Sequence, residues 1–314
     1  MNEGGKEIVV SLIVPCYNEQ DSLVPFMHEV TDVLRNCIKE TAEIILVDDG
    51  SDDDTLMIIR RLCEVYPECR YISFSRNFGK ESAILAGFVH SKGQYVAVMD
   101  ADLQDPPALL VEMLKAVREE GYDCAGTRRI TRQGEPFIRS VFARLFYWLI
   151  NHMSTTRLPS GARDYKLLSR KAVDALLSMP EINRFSKGLY EWIGFRTKWI
   201  EYENVARVAG VTKWSFWKLF KYSIEGIVSF STLPLALSSL VGVVFMFISL
   251  FMIVILVVRQ FVWHNSVDGW TSLVCILLML SGLQLLSVGV MGQYMAKMYL
   301  EIKRRPHYII TEMK

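Results

Sequence analysis

The 314-residue chain contains no glycine-rich phosphate loop, no CxxC pair, no low-complexity segment and no internal repeat. Each absence removes a class of protein. A dinucleotide-binding fold would follow its first strand with GxGxxG, but the first turn here reads Pro15-Cys16-Tyr17-Asn18-Glu19. A pyrophosphate is then not held mainly on a glycine loop, and a metal must supply the compensating charge. The cysteines, at 16, 37, 63, 69, 124 and 275, are scattered. Neither a zinc site nor a disulfide framework follows from such spacing, and they read as small core residues in a reducing compartment. With a formal net charge of +1 and no basic stripe interleaved with aromatics, nucleic acid is not an expected partner. Met1 to Lys6 is polar and runs into a short apolar stretch, which is not the pattern of a signal peptide.

Apolar residues, by contrast, are abundant: they make up 51% of the chain, and the mean hydropathy is +0.22. Residues 233–258 and 270–295 carry no charged side chain. Each run exceeds the roughly 20 residues that cross a bilayer core. Read as two transmembrane helices, they form a hairpin around a short extracytoplasmic loop, 259–269. Lys213, Lys218 and Lys221 precede the first run, and Lys297, Lys303, Arg304 and Arg305 follow the second. The loop between them holds only Arg259 and His264 against Asp268. This asymmetry places both termini, and the tail 296–314, in the cytoplasm, as expected of a multi-pass membrane protein. Before the first run, 213–232 repeats Trp217, Phe220, Ile224 and Ile227 at helical spacing with Lys218 and Lys221 off the stripe, as a juxtamembrane amphipathic helix does. Phe137–Met153 has a similar apolar face, suited to core or membrane surface.

Residues 1–212 form the expected cytoplasmic domain. Its first 125 residues alternate short apolar strands with helical patterning. Strands are predicted at Ile8–Pro15, Glu43–Val47, Arg70–Ser75 and Tyr95–Met99, with helices at 22–36, 53–66, 80–90 and from about Pro106. This alternation predicts an α/β domain with a mostly parallel, Rossmann-like sheet covered on both faces, and ligands at the carboxyl ends of its strands. The chemically suggestive residues fall at those ends. Asp100 and Asp102 close the apolar run from Tyr95, and Asp48 and Asp49 close the run from Glu43. Two carboxylates one residue apart at a strand mouth repel, and a divalent cation escorting a nucleotide diphosphate relieves that repulsion. Asp52-Asp53-Asp54 also spells DxD, but it reads as a helix start with acids in its first turn.

Three motifs stand in order: Val14-Pro15-Cys16-Tyr17-Asn18-Glu19, Val47-Asp48-Asp49-Gly50-Ser51 and Asp100-Ala101-Asp102-Leu103-Gln104-Asp105-Pro106. Together they resemble the family 2 glycosyltransferases with the GT-A fold. Arg76-Asn77-Phe78-Gly79-Lys80, Ser160-Gly161-Ala162-Arg163-Asp164-Tyr165 and Thr212-Lys213-Trp214 extend the resemblance to the polyprenyl-phosphate group, which includes dolichol-phosphate mannose synthases and bactoprenol glucosyltransferases. The resemblance covers nearly the whole chain. It implies that Pro15, Tyr17, Glu19, Asp48, Asp49, Asp100 and Ala101 hold a nucleotide sugar. It further implies that Asp102 and Asp100, with Gln104, hold Mg²⁺ or Mn²⁺.

The implied reaction is inverting transfer of a sugar, glucose from UDP-glucose foremost, to undecaprenyl phosphate, in service of cell-envelope glycan modification. UDP-N-acetylhexosamine, aminoarabinose and GDP-mannose donors are alternatives, as is a non-catalytic membrane scaffold or flippase partner. A lipid monophosphate has its second pKa near 6 and is mostly dianionic at neutral pH, so the acceptor needs cations more than a strong base. Arg128, Arg139 and Lys213 are the candidates for that role. Asp102 and Asp164 are the candidate catalytic carboxylates, Asp164 orienting sugar or acceptor from a loop over the donor. A Gln-x-x-Arg-Trp motif and the additional spans of a processive polysaccharide synthase are missing. Ser281, Gly282, Gly289 and Gly292 would let helices approach closely, and the resemblance implies a homo-oligomer, a tetramer in related enzymes.

Overall fold

A computed structural model describes residues 7–129, 161–202, 232–263 and 269–314. Strands β1 (Val10–Cys16), β2 (Ala42–Asp48), β3 (Cys69–Phe74) and β4 (Tyr95–Val98) alternate with helices α1 (Leu23–Asp32), α2 (Thr55–Val65) and α3 (Lys80–His90), and α4 (Leu109–Arg118) follows β4. These eight elements match the predicted ones to within a few residues. Two local departures have simple causes. The helix begun by α1 widens into a π-helical turn over Val33–Ile38 and stops at Lys39, which is left-handed at φ 58°. The proline pair at 106 and 107 contributes a turn rather than helix, with the Leu109 and Leu110 N–H groups donating to the Pro106 and Pro107 carbonyls.

Next come β5 (Cys124–Arg129), β6 (Ala162–Ser169), α5 (Arg170–Leu177), α6 (Ser186–Trp192) and β7 (Thr197–Tyr202). Long helices α7 (Leu233–Trp263) and α8 (Trp270–Lys303) follow, and strand β8 (Ile310–Met313) comes after them. The eight strands form one sheet in the order β7-β5-β6-β4-β1-β2-β3-β8. Its centre, β4-β1-β2-β3, is parallel, as expected. Beyond that centre the sheet is mixed: β6 runs antiparallel to both β4 and β5, and β8 antiparallel to β3. Neither reversal was predicted.

The sheet is covered on both faces, which explains why its central strands are continuously apolar. Leu12, Val14, Ile44, Leu46 and Ala97 point to one side, against Phe26, Met27, Ile59 and Met113 of α1, α2 and α4. Ile13, Ile45, Val47, Val96 and Val98 point to the other, against Ile84 and Phe88 of α3 and Val173 and Leu176 of α5. Each Val, Leu, Ile, Phe or Met among them, fully withdrawn from water, contributes roughly 1.5–3 kcal/mol. Gly87 lets α3 lie close on the sheet, since a Cβ there would sit 2.2 Å from Ile13 Cγ2. Cys16, Cys63, Cys69 and Cys124 are buried as core residues, and Cys37 is exposed.

Both apolar runs are helical. Among the described residues, one stretch, Leu233–Met252, is long and apolar enough to cross a membrane; its mean hydropathy is 2.4, and none of it is buried in the protein. The two predicted amphipathic segments, 137–153 and 213–232, lie outside the described residues apart from Thr232. α8 ends at Arg304, left-handed at φ 46°. In its last turn the Glu301 carboxylate accepts the Ile182 and Asn183 N–H groups, at 2.9 and 3.0 Å. The chain then returns to the sheet, where Tyr308 stacks on Phe74 at 4.9 Å and β8 pairs with β3.

Candidate active site

The order of the central strands, β3-β2-β1-β4, reverses direction of progress between β1 and β4. Loops leaving adjacent strand ends at such a point diverge and open a crevice. The residues predicted at the ends of β1, β2 and β4 stand around it. After β1, Asn18 is left-handed (φ 54°); its N–H donates to Ser51 Oγ at 3.0 Å, and its side-chain oxygen accepts the Asp52 N–H at 2.9 Å. The Glu19 N–H donates to Thr55 Oγ1 at 2.8 Å, while its carboxylate accepts Ser22 Oγ at 2.7 Å. Pro15, half-buried, is level with Val47 in the β1–β2 pairing. Tyr17 projects from this loop, and its hydroxyl is 3.3 Å from Asp52. Asp52, Asp53 and Asp54 precede α2 rather than standing in its first turn, and Asp53 accepts the Thr55 N–H at 3.0 Å.

The two acids after β2 do different work. Asp48 is buried, accepting Ser73 Oγ at 2.8 Å and the Ser51 N–H at 3.1 Å. Asp49 accepts the Phe78 and Gly79 N–H groups at 2.7 and 2.9 Å and so fixes the loop after β3. Burial raises the Asp49 pKa to about 6 even though those two N–H bonds, and Arg76, oppose the rise. Gly50, at φ +65°, packs directly on that loop: a Cβ there would lie 2.3 Å from the Arg76 carbonyl carbon. Tyr17, Asp48, Ser51, Arg76 and Asn77 line a cleft of about 430 Å³ above β1–β3. That volume falls in the range of small-molecule sites.

On the other side of β1, Asp100 follows β4. Lys80, the first residue of α3, donates to Asp100 at 2.6 Å and to Asp164 on β6 at 2.6 Å. Lys187 of α6 reaches Asp164 from the far side at 3.3 Å. Burial pushes the Asp164 carboxyl up, but Lys187 and Lys80 together hold it well below the usual range. A carboxyl held in this way is a poor proton acceptor. Asp100 is raised by burial, against the pull of Lys80. Burial lowers Lys80, yet Asp100 and Asp164 more than offset this and keep it firmly protonated. Ala101 is buried behind the acids, and Asp102 Oδ1 accepts the Gln104 N–H at 3.1 Å, closing the turn in which Leu103 is left-handed (φ 55°).

Gln104 is differently occupied from its expected role. Its Oε1 accepts Arg129 at 3.0 Å and Arg163 at 3.2 Å, so the oxygen that would ligate a metal faces two guanidinium groups. Arg163 also pairs with buried Asp105 at 3.1 Å, and the Tyr202 hydroxyl bonds the same carboxylate. Arg128 pairs with Glu201 on the neighbouring strand. Arg139 and Lys213 lie outside the described residues. Among the described residues, no group of three or more His, Cys, Asp or Glu side chains is arranged to hold a metal. Asp100 and Asp102 suit a hard cation that takes its other oxygens from phosphate and water, since Mg²⁺-type sites often use only one or two carboxylates.

Sequence reasoning missed Lys80 and Lys187. It assigned the counter-charge for a diphosphate to metal alone, whereas two ammonium groups already stand at the carboxylates. The signal for Lys80 was available: Asn77-Phe78-Gly79-Lys80 puts a lysine at the first turn of a helix whose start faces the strand ends. Lys187 gave none, because α6 is set against β6 by tertiary packing.

A crevice of this kind, at the switch point of a doubly covered sheet, is where open α/β folds place their ligands. Residues 11–177 match the model of glycosyl transferase family 2. A Bacillus subtilis (strain 168) chain named as the glycosyltransferase CsbB is 45% identical over 307 residues, which cover 98% of this chain and 92% of that one. The bactoprenol glucosyl transferase of Shigella phage SfII is 36% identical over 303 residues, covering 96% and 97%. Glucosyl-3-phosphoglycerate synthase from Mycobacterium tuberculosis, solved with Mn²⁺ and UDP-glucose, gives a TM-score of 0.46 at 19% identity, covering 72% of this chain and 78% of that one. The chain belongs to glycosyl transferase family 2.

Proposed function

We propose that this glycosyltransferase moves a hexose, glucose foremost, from a UDP-linked donor to a polyprenyl phosphate, undecaprenyl phosphate in the first instance, with inversion at the anomeric carbon. The observation that carries the reading is the Asp100–Lys80–Asp164–Lys187 array beside Asp102, an alternation of charges suited to two phosphate groups meeting at one carbon. The near full-length similarity to bactoprenol glucosyl transferases supports the lipid acceptor. Asp102 and Asp100 would hold Mg²⁺ or Mn²⁺, whose contribution is to stabilise the charge that builds on the departing diphosphate.

This chain's own groups do the rest. The cleft beside Tyr17 and Asp48 takes the nucleoside. Asp164, locked as an anion, orients sugar hydroxyls. Lys80 and Lys187 attract the phosphates and release Asp100 and Asp164 as the charged ligands enter. A dianionic acceptor phosphate attacks without surrendering a proton, so no residue needs to act as a strong base. Helices α7 and α8 would cross the bacterial inner membrane as a hairpin, keeping the domain on the cytoplasmic face. The length and hydropathy of Leu233–Met252 support the first of these crossings. The homo-oligomer implied by the resemblance belongs to the same reading, and the mass of the detergent-solubilised protein tests it.

The test is direct. Membranes containing the protein are incubated with undecaprenyl phosphate and each labelled nucleotide sugar in turn, UDP-N-acetylhexosamine and GDP-mannose included. The expected product is a labelled lipid from UDP-glucose, dependent on divalent cation and lost in Asp102→Ala. Labelled lipid only from another donor would correct the sugar; none from any donor would sink the reading.

A further inference from the structure

The cleft assigned to the nucleoside has a wall that no sequence motif marks. On one side stand Tyr17, Asp48 and Arg76 from the ends of β1, β2 and β3. Beyond β3 the lining continues with Thr311 and Glu312 of β8, and with Arg60 of α2. Strand β8 follows both long helices, so two segments some 250 positions apart in sequence share one small cavity.

The contact is specific. Arg60 binds Glu312 side-on, Nε to Oε1 and Nη2 to Oε2, both at 2.8 Å. The planar fork fixes the carboxylate in direction as well as distance, which a lysine could not do. Arg60 and the Glu312 side chain keep 49% and 34% of their surface exposed, so the pair remains in reach of a ligand. The strand carrying Glu312 is itself anchored. Ile310 packs against the core, the Ser75 N–H donates to the Ile309 carbonyl at 3.0 Å, and the Lys314 N–H donates to the Tyr71 carbonyl at 3.0 Å. These contacts, all with β3 and the core behind it, fix the wall to the sheet edge.

Strand order states what the wall faces. The acids and lysines of the transfer site lie over β4, β1 and β6, while the cleft extends from β1 across β2 and β3 to β8. A nucleotide sugar laid along this line, with its diphosphate near Asp100 and Asp102, directs its base toward β8. We propose that β8 is part of the donor site: Thr311 and Glu312, oriented by Arg60, form the outer wall against the base of the nucleoside diphosphate and help select it. A uracil base offers two carbonyl acceptors and an imide N–H, which match the Arg60 guanidinium, the Thr311 hydroxyl and the Glu312 carboxylate. The inference rests on the donor reading above and goes further by adding a recognition element.

The experiment uses the full-length protein in detergent, with UDP binding measured by titration calorimetry. Initial rates are measured separately against UDP-glucose and undecaprenyl phosphate. Thr311→Trp, which crowds the wall, and the single reversals Arg60→Glu and Glu312→Arg should each weaken UDP binding by about tenfold or more. KM for the donor should rise with it while KM for the lipid phosphate stays put. The double variant Arg60→Glu/Glu312→Arg restores the pair with opposite polarity, and it should recover the melting temperature and bind UDP better than either single reversal. Unchanged UDP affinity in Thr311→Trp and both reversals overturns the inference, whatever their melting temperatures. So does a parallel rise of donor and lipid KM. Failure of the underlying reading looks different: the unaltered protein would then bind no UDP and transfer no sugar, and the inference would fall with it.

Discussion

Replacing Gly50 by alanine tests how tightly the cleft is built. Gly50 is at φ +65°, where an L-residue costs roughly 1–2 kcal/mol. The added Cβ would also meet the chain: 2.3 Å from the Arg76 carbonyl carbon, and 2.7 Å from both Arg76 Cα and Asn77 N. Ordinary carbon contacts begin near 3.5 Å, so the backbone at 76–77 must retreat by roughly 1 Å. Overpacking of this sort adds about 1–3 kcal/mol, for a total of about 2–5 kcal/mol. Gly121 supplies the control. It is also left-handed, at φ +74°, but nothing lies within 4 Å of its built Cβ, so Gly121→Ala should show the backbone term alone. Denaturation of the two variants in the same detergent gives the difference. The donor KM gives a second readout, because Arg76 and Asn77 line the cleft and Gly121 is remote from it. Equal destabilisation of the two variants with unchanged donor KM in Gly50→Ala would refute the packing reasoning.

Other outcomes follow from buried charge. Asp49, raised from 3.8 to about 6, binds a proton more readily folded than unfolded. Acidification from pH 7 towards 4 therefore favours the folded state through this group, and Asp49→Asn should remove that component of the melting temperature between pH 7 and 4.5. Asp164 has the opposite sign: its lowered pKa gives stability that is present at neutral pH and lost only as pH falls through the acid range. At the far end of the sheet, buried Glu43 accepts Ser11 Oγ at 2.5 Å and the Lys92 N–H at 2.7 Å, and pairs with Arg70 at 2.8 Å. Glu43→Ala should cost about 1–3 kcal/mol, since Arg70 keeps the His90 carbonyl and Ser11 the Gly93 N–H. The surviving folded protein should keep its donor KM, and a changed KM would contradict the site's placement at the opposite strand ends.

How much of this was legible in the sequence depends on which interactions are local. The β1–β4 strands and α1–α3 were readable because each is a short apolar run or a helical stripe bounded by turn residues, and the acids at their ends came with them. Asp164 and Arg163 could be picked out as residue types. Their partners could not, since Lys80, Lys187, Asp105 and Gln104 reach them only once β6 inserts antiparallel beside β4. The expectation that Gln104 would assist a metal missed Arg129 and Arg163 for the same reason: their proximity is tertiary. Arg128, a candidate phosphate-binding cation from Gly126-Thr127-Arg128-Arg129, is set beside Glu201 by strand pairing with β7, a contact that sequence spacing does not reveal. Strand β8 escaped because Ile310–Met313 is too short to signal itself and acquires strand geometry only against the edge of β3.

The position of β8 also orders events in time. The ribosome releases β1 to β3 long before residues 310–313, and between them come the 31 residues of α7 and the 34 of α8. While those helices are being made, β3 presents a bare edge and Arg60 has no carboxylate opposite it. The cleft is completed only when the strand beyond α8 comes back to that edge. A chain halted or misdirected within its apolar helices therefore leaves behind a domain with its acids and lysines in place and one wall missing.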